Sequence, residues 1–91
     1  MQKKQTITLD NLRKQIDNVD DQLLRVLAKR MHIVREIGKY KKANDIQPLD
    51  KKRWQKVLED KVIKAQKLHL SERFITKLYY VIHTYALEIE K

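Results

Sequence analysis

The chain has 91 residues, 42% of them hydrophobic, and 21 Lys and Arg against 12 Asp and Glu leave a net charge of +9. One Gly, one Pro and no Cys supply too little turn chemistry for a β-rich fold and exclude disulfides and thiolate metal sites. One small all-helical domain is expected, with a charge that favours an anionic partner: nucleic acid, an anionic membrane face or a small polyanionic metabolite.

The first residues, Met1 to Thr6, are basic with no apolar stretch behind them, which does not read as a signal peptide. Residues 1–8 are expected to be a flexible segment ahead of a helical domain over 9–91. No apolar run approaches the roughly 18 residues needed to span a bilayer, so a soluble, cytoplasmic protein is expected.

Thr8 is placed to cap a first helix whose apolar periodicity starts at Leu9 and Leu12 and continues to about Tyr40. Alternating steps of three and four pick out a seam: Ile16, Val19, Leu23, Val26, Arg30, Ile33, Ile37 and Tyr40. Leu12, Leu24, Leu27, Met31 and Val34 flank it. About 33 residues at 1.5 Å each give roughly 50 Å of helix, long for a compact monomer of this size. A helix this long and apolar on more than one stripe predicts a homodimer in which the long helices pack along each other. "ANDIQPL", residues 43–49, breaks the pattern with Asn44, Asp45 and Pro48. Asp50 caps a second helix with Trp54, Val57, Leu58, Val62 and Ala65 at helical spacing. Ser71 caps a third, with Phe74, Ile75, Leu78, Ile82, Ala86 and Ile89 on one side.

Arg30 is the intruder in the seam. It keeps its proton, so burial without a partner would cost several kcal/mol. Either a structural acid such as Asp20 pairs with it, or it waits for an anionic ligand. Lys41, eleven residues on, points to the same side within about 20° and lies about 16 Å further along the helix. Arg13, seventeen residues before Arg30, is about 100° around and suits the equivalent cavity of a dimer partner. Arg53 opens the second helix. Most other basic residues, Lys3, Lys4, Lys39, Lys42, Lys51, Lys52 and Lys67 among them, read as solvated surface, as do Asp17, Asp20 and Asp21. His32, His69 and His83 lack metal-site spacing, and no metal or cofactor is expected. Trp54 reads as core before it reads as a ligand platform. Gly38 inside a helix costs about 1 kcal/mol relative to Ala, which points to close approach of another backbone or a ligand. A cationic pocket with apolar walls and no nucleophile suits binding of a small dicarboxylate and stabilisation of charge developing on an ether oxygen.

At these residues the chain resembles the all-α chorismate mutases, which convert chorismate to prephenate. The resemblance runs from about Leu9 to Glu90 through "LDNLRKQIDNVDDQLLRVLAKR", "REIGKYKK", Arg53 and "FITKLYYVIHTYALEIE". It implies an intertwined helical homodimer with two sites built from both chains. It also implies that Arg30, and Arg13 from the other subunit, grip the substrate's carboxylates. Lys41 would contact the ether oxygen and a carboxylate, and Arg53 would complete the cationic ring. Asp50 falls near the position that meets the ring hydroxyl. Three positions depart from the common bacterial pattern: Trp54 for a hydroxyl-binding glutamate, Ala86 for a serine near a carboxylate, and Glu90 for a glutamine facing the ether oxygen. The Arg53-Trp54 pair resembles mutase domains joined to a DAHP synthase, so a fused or associated synthase is a possible partner, and some eukaryotic members carry glutamate at the last position. Within the fold, isochorismate pyruvate lyase is the alternative activity. In another class, a basic helical dimer binding nucleic acid predicts exposed cations rather than Arg30 in a seam.

Overall fold

A computed structural model describes residues 7–91 as three helices: α1 (Leu9–Ala43), α2 (Lys51–Lys67) and α3 (Glu72–Glu90). Among the described residues there is no strand, and no helix is long and apolar enough to cross a membrane. The expected flexible segment 1–8 lies, up to residue 6, outside the described residues.

The chain divides into two units, one ending at Arg30 and the other running from Met31 to Lys91. In the first, the Thr8 hydroxyl accepts from the Asn11 amide at 3.1 Å and caps α1. Every residue from Ile7 to Val26 is exposed. The apolar run Leu12, Ile16, Val19, Leu23 and Val26, at steps of four and three, is uncovered at 43 to 63%.

The second unit holds the end of α1 with α2 and α3. Met31, Val34 and Ala86 form its buried cluster, with Ile82 and Ile89 packed against them. The stripe of α1 that faces α3 is therefore Met31, Val34 and Gly38, all buried. Ile33, Ile37 and Tyr40, expected in the main seam, remain exposed. The glycine decides this. A Cβ on Gly38 would lie 2.9 Å from the Glu90 Cα and 3.2 Å from its carbonyl oxygen, so α3 crosses where α1 has no side chain. On α3 the buried line runs through Ile75, Ala86 and Glu90, while Phe74 and Leu78, expected on the same side, are exposed.

Both internal helix stops lack glycine. α1 ends with Ile46 N–H donating to the Lys41 carbonyl at 2.8 Å and Asp45 N–H to that of Lys42 at 3.5 Å. α2 ends alike, with Leu70 N–H to the Ala65 carbonyl at 2.9 Å and His69 N–H to that of Gln66 at 3.2 Å. This paired pattern needs one left-handed residue just past the helix. Asp45 (φ 56°) and His69 (φ 61°) supply it. The next helices start on their expected caps. The Asp50 carboxylate accepts from Arg53 N–H at 3.0 Å, and the Ser71 hydroxyl accepts from Phe74 N–H at 2.9 Å.

Candidate functional site

Lys41 stands in the last turn of α1, where Gly38 three residues earlier has let α3 come close. Its ammonium donates to the Glu90 carboxylate at 2.6 Å and to the Pro48 carbonyl at 2.6 Å. Glu90 is 8% exposed, an uncommon state for a glutamate and one that requires a partner. The pair and Pro48 border an open recess with Ile46, Gln47 and Lys91.

Two residues past Pro48, Asp50 spends a carboxylate oxygen on the cap of α2. That cap fixes the backbone of Arg53, whose side chain lies on the exposed surface. Trp54 follows, half-buried, with its indole stacked on the His83 imidazole: centroids 3.9 Å apart and planes within 12°. Tyr80, one turn earlier on α3, meets the indole edge-on at 5.6 Å and 88°. His83 and Glu90 are seven residues apart on α3, hence on one face and about 10 Å apart. The links close on themselves: Lys41 to Pro48, Pro48 along the chain to Asp50 and Arg53, Trp54 across to His83, His83 along α3 to Glu90, and Glu90 back to Lys41.

Ala86, between His83 and Glu90, is buried in the α1–α3 cluster. The first unit carries Arg13, exposed, and Arg30, half-buried. Arg30 forms no ion pair with Asp20 or any other acid among the described residues, and its Nη1 is buried without a hydrogen-bond partner. An unpartnered guanidinium nitrogen out of water costs more than a hydrogen bond is worth, so it marks a place for an acceptor. Away from these groups, hydrogen bonds from Lys64 and then Lys61 hold the Asp60 carboxyl below the usual carboxylate range.

Of the residues nominated from sequence, Lys41 and Glu90 are in direct contact, and Asp50, Arg53 and Trp54 are consecutive members of the same ring of links. His83 and Tyr80 were not nominated. The available signal was position: His83 is two turns before Glu90 on the same face of α3. Pro48 was read only as a loop residue, and nothing in its side chain marks its carbonyl as the Lys41 acceptor.

Comparison with curated proteins gives no match. A family model described as chorismate mutase type II matches residues 12–91. That span takes in α2, α3 and α1 from Leu12 onward, with Arg13, Arg30, Lys41 and Arg53, and the chain belongs to the chorismate mutase type II family.

Proposed function

We propose that the protein is a chorismate mutase, an isomerase that rearranges chorismate to prephenate. The observation that carries this reading beyond family membership is the buried, unpartnered Nη1 of Arg30, a donor with no acceptor among the described residues. A substrate carboxylate satisfies it, with the strength of a charge-assisted contact.

The reaction is a Claisen rearrangement within one molecule. The ether C–O bond breaks as a C–C bond forms, with no net transfer of protons or electrons. The protein's work is then to hold the reactive conformer and to stabilise negative charge growing on the ether oxygen. Lys41 suits the second task. An ammonium has three N–H donors, and Glu90 and Pro48 take two, leaving a third, in a fixed orientation, for the ether oxygen. Arg53 and Arg13 add positive charge toward the carboxylates, with Trp54 and Ala86 as apolar wall and Asp50 near the ring hydroxyl. A carboxylate at Glu90 opposes the charge growing on that oxygen, whereas an amide in its place would donate a hydrogen bond to it.

The uncovered apolar run from Leu12 to Val26 supports a homodimer in which each long helix is covered by the other chain and Arg13 serves the partner's site. Helices in proteins draw most of their stability from packing an amphipathic face rather than from propensity. A cytoplasmic enzyme of aromatic amino acid biosynthesis, alone or with an associated DAHP synthase, fits the same reading. The test is loss of chorismate absorbance with product identification, run beside isochorismate. Prephenate from the first and nothing from the second supports the mutase. Pyruvate release from isochorismate would assign the lyase instead.

A further inference from the structure

We propose that His83 is a positioning residue that sets substrate affinity by holding Trp54 in place. The inference rests on the mutase reading and deepens it by naming a residue that acts on the site through another.

Trp54 directly follows Arg53 in the first turn of α2, and its indole is the wall nearest that cation along the chain. An indole on a helix start has two free torsions and would move with solvent unless something fixed it. Here α3 fixes it with two rings. His83 covers one face in parallel contact, and Tyr80 meets the indole edge-on. Residues three apart on a helix are surface neighbours, so the two rings form one clamp. The clamp is also the one side-chain contact in the ring of links that joins the start of α2 to α3. Through it the Arg53-Trp54 turn is tied to the helix that carries Glu90.

Trp54 offers a flat apolar surface and a single N–H, so it holds a substrate ring without stabilising the charge that grows on an ether oxygen. A group of that kind contributes alike to ground and transition states. Loosening it raises KM and spares kcat.

The experiment compares His83→Leu, which keeps apolar bulk but removes the planar stack, with His83→Phe, which keeps the stack. Chorismate turnover is measured on each beside the wild type. Trp54 is the only Trp in the chain, so its fluorescence reports the clamp directly. In the Leu variant, KM is expected to rise about fivefold with kcat within about twofold of the wild type, the scale of one aromatic contact. Trp emission shifts to the red as the indole gains water, and the Phe variant restores both values. An unchanged KM in the Leu variant, a Phe variant that fails to restore it, or a fall in kcat at constant KM would overturn the proposal. So would unfolding of both variants, which would make the ring a structural strut. A wild type that leaves chorismate unchanged refutes the mutase reading itself, and the inference falls with it.

Discussion

Gly38→Ala isolates the role of the α1–α3 crossing. The new Cβ would stand 2.9 Å from the Glu90 Cα, 3.2 Å from its carbonyl oxygen and 3.5 Å from its carbonyl carbon. All three are backbone atoms in the last turn of a helix, with no torsion that moves them aside. Carbon atoms pack best at about 3.5–4.0 Å, so the end of α3 must withdraw by more than half an ångström. Alanine in a helix interior gains about 1 kcal/mol over glycine, while overpacking against fixed atoms costs about 1–3 kcal/mol. The expected net is a loss of about 1 kcal/mol, which lowers Tm by about 4–8 °C in a domain of this size. Activity should fall much further. The same withdrawal takes Glu90 out of register with Lys41, and a misplacement of about 1 Å costs about a hundredfold in rate. Thermal unfolding by circular dichroism and the initial rate on chorismate, at one protein concentration, give both numbers. A variant that melts higher than the wild type and keeps its rate would refute the crossing as the reason for the glycine.

Glu90→Gln should raise the rate on chorismate by replacing a carboxylate beside the developing charge with an amide that can donate to it; equal initial rates in the two proteins would place Glu90 outside the chemistry. Arg13→Ala and Arg30→Ala chains, each inactive alone, should regain about one intact site per heterodimer when mixed, because each chain supplies what the other lacks; no recovery after verified exchange would confine Arg13 to its own chain's site or to packing. His69→Gly should stabilise the chain by about 0.5–1 kcal/mol by relieving a left-handed backbone that a side chain disfavours, and denaturant unfolding that shows a loss would mean the imidazole contributes more than the strain costs.

The helices and their starts were legible because caps and periodicity are local. Thr8, Asp50 and Ser71 each accept the backbone N–H three residues on, and the 43–49 break ends α1 where Asn44 and Asp45 stand. The end of α2 was less legible, since it turns on a left-handed histidine, and most histidines do not adopt that conformation although the type is enriched there among non-glycine residues. Which apolar stripe of α1 meets α3 could not be read from periodicity. Ile33, Ile37 and Tyr40 repeat as regularly as Met31, Val34 and Gly38, and only the second set is buried. The deciding residue was in view. Gly38 is in helical register with Met31 and Val34, and a glycine that costs helix stability marks the stripe another backbone approaches. In the site, Lys41 and Glu90 could be nominated separately, but 49 positions part them, and their contact follows only from the crossing. The Trp54 stack depends on how α2 and α3 align, which no local pattern records.

The closed circuit through Lys41, Pro48, Asp50, Arg53-Trp54, His83 and Glu90 has a consequence for how damage adds up. A linear chain of contacts fails at its first broken link. In a circuit, one break leaves every member attached through the opposite arc, and the local loss stays near that of the missing contact. A second break on the other arc leaves the segment between them to the Met31–Val34–Ala86 cluster alone, and the ordering that both arcs had shared is lost at once. Paired substitutions on opposite arcs, one at the Trp54–His83 stack and one at the Lys41–Glu90 pair, are therefore coupled although they share no atom in contact. Their combined cost exceeds the sum of the singles, against the near-additivity usual for sites that share no partner. A sequence drifting one residue at a time thus meets tolerance first and a steeper loss second.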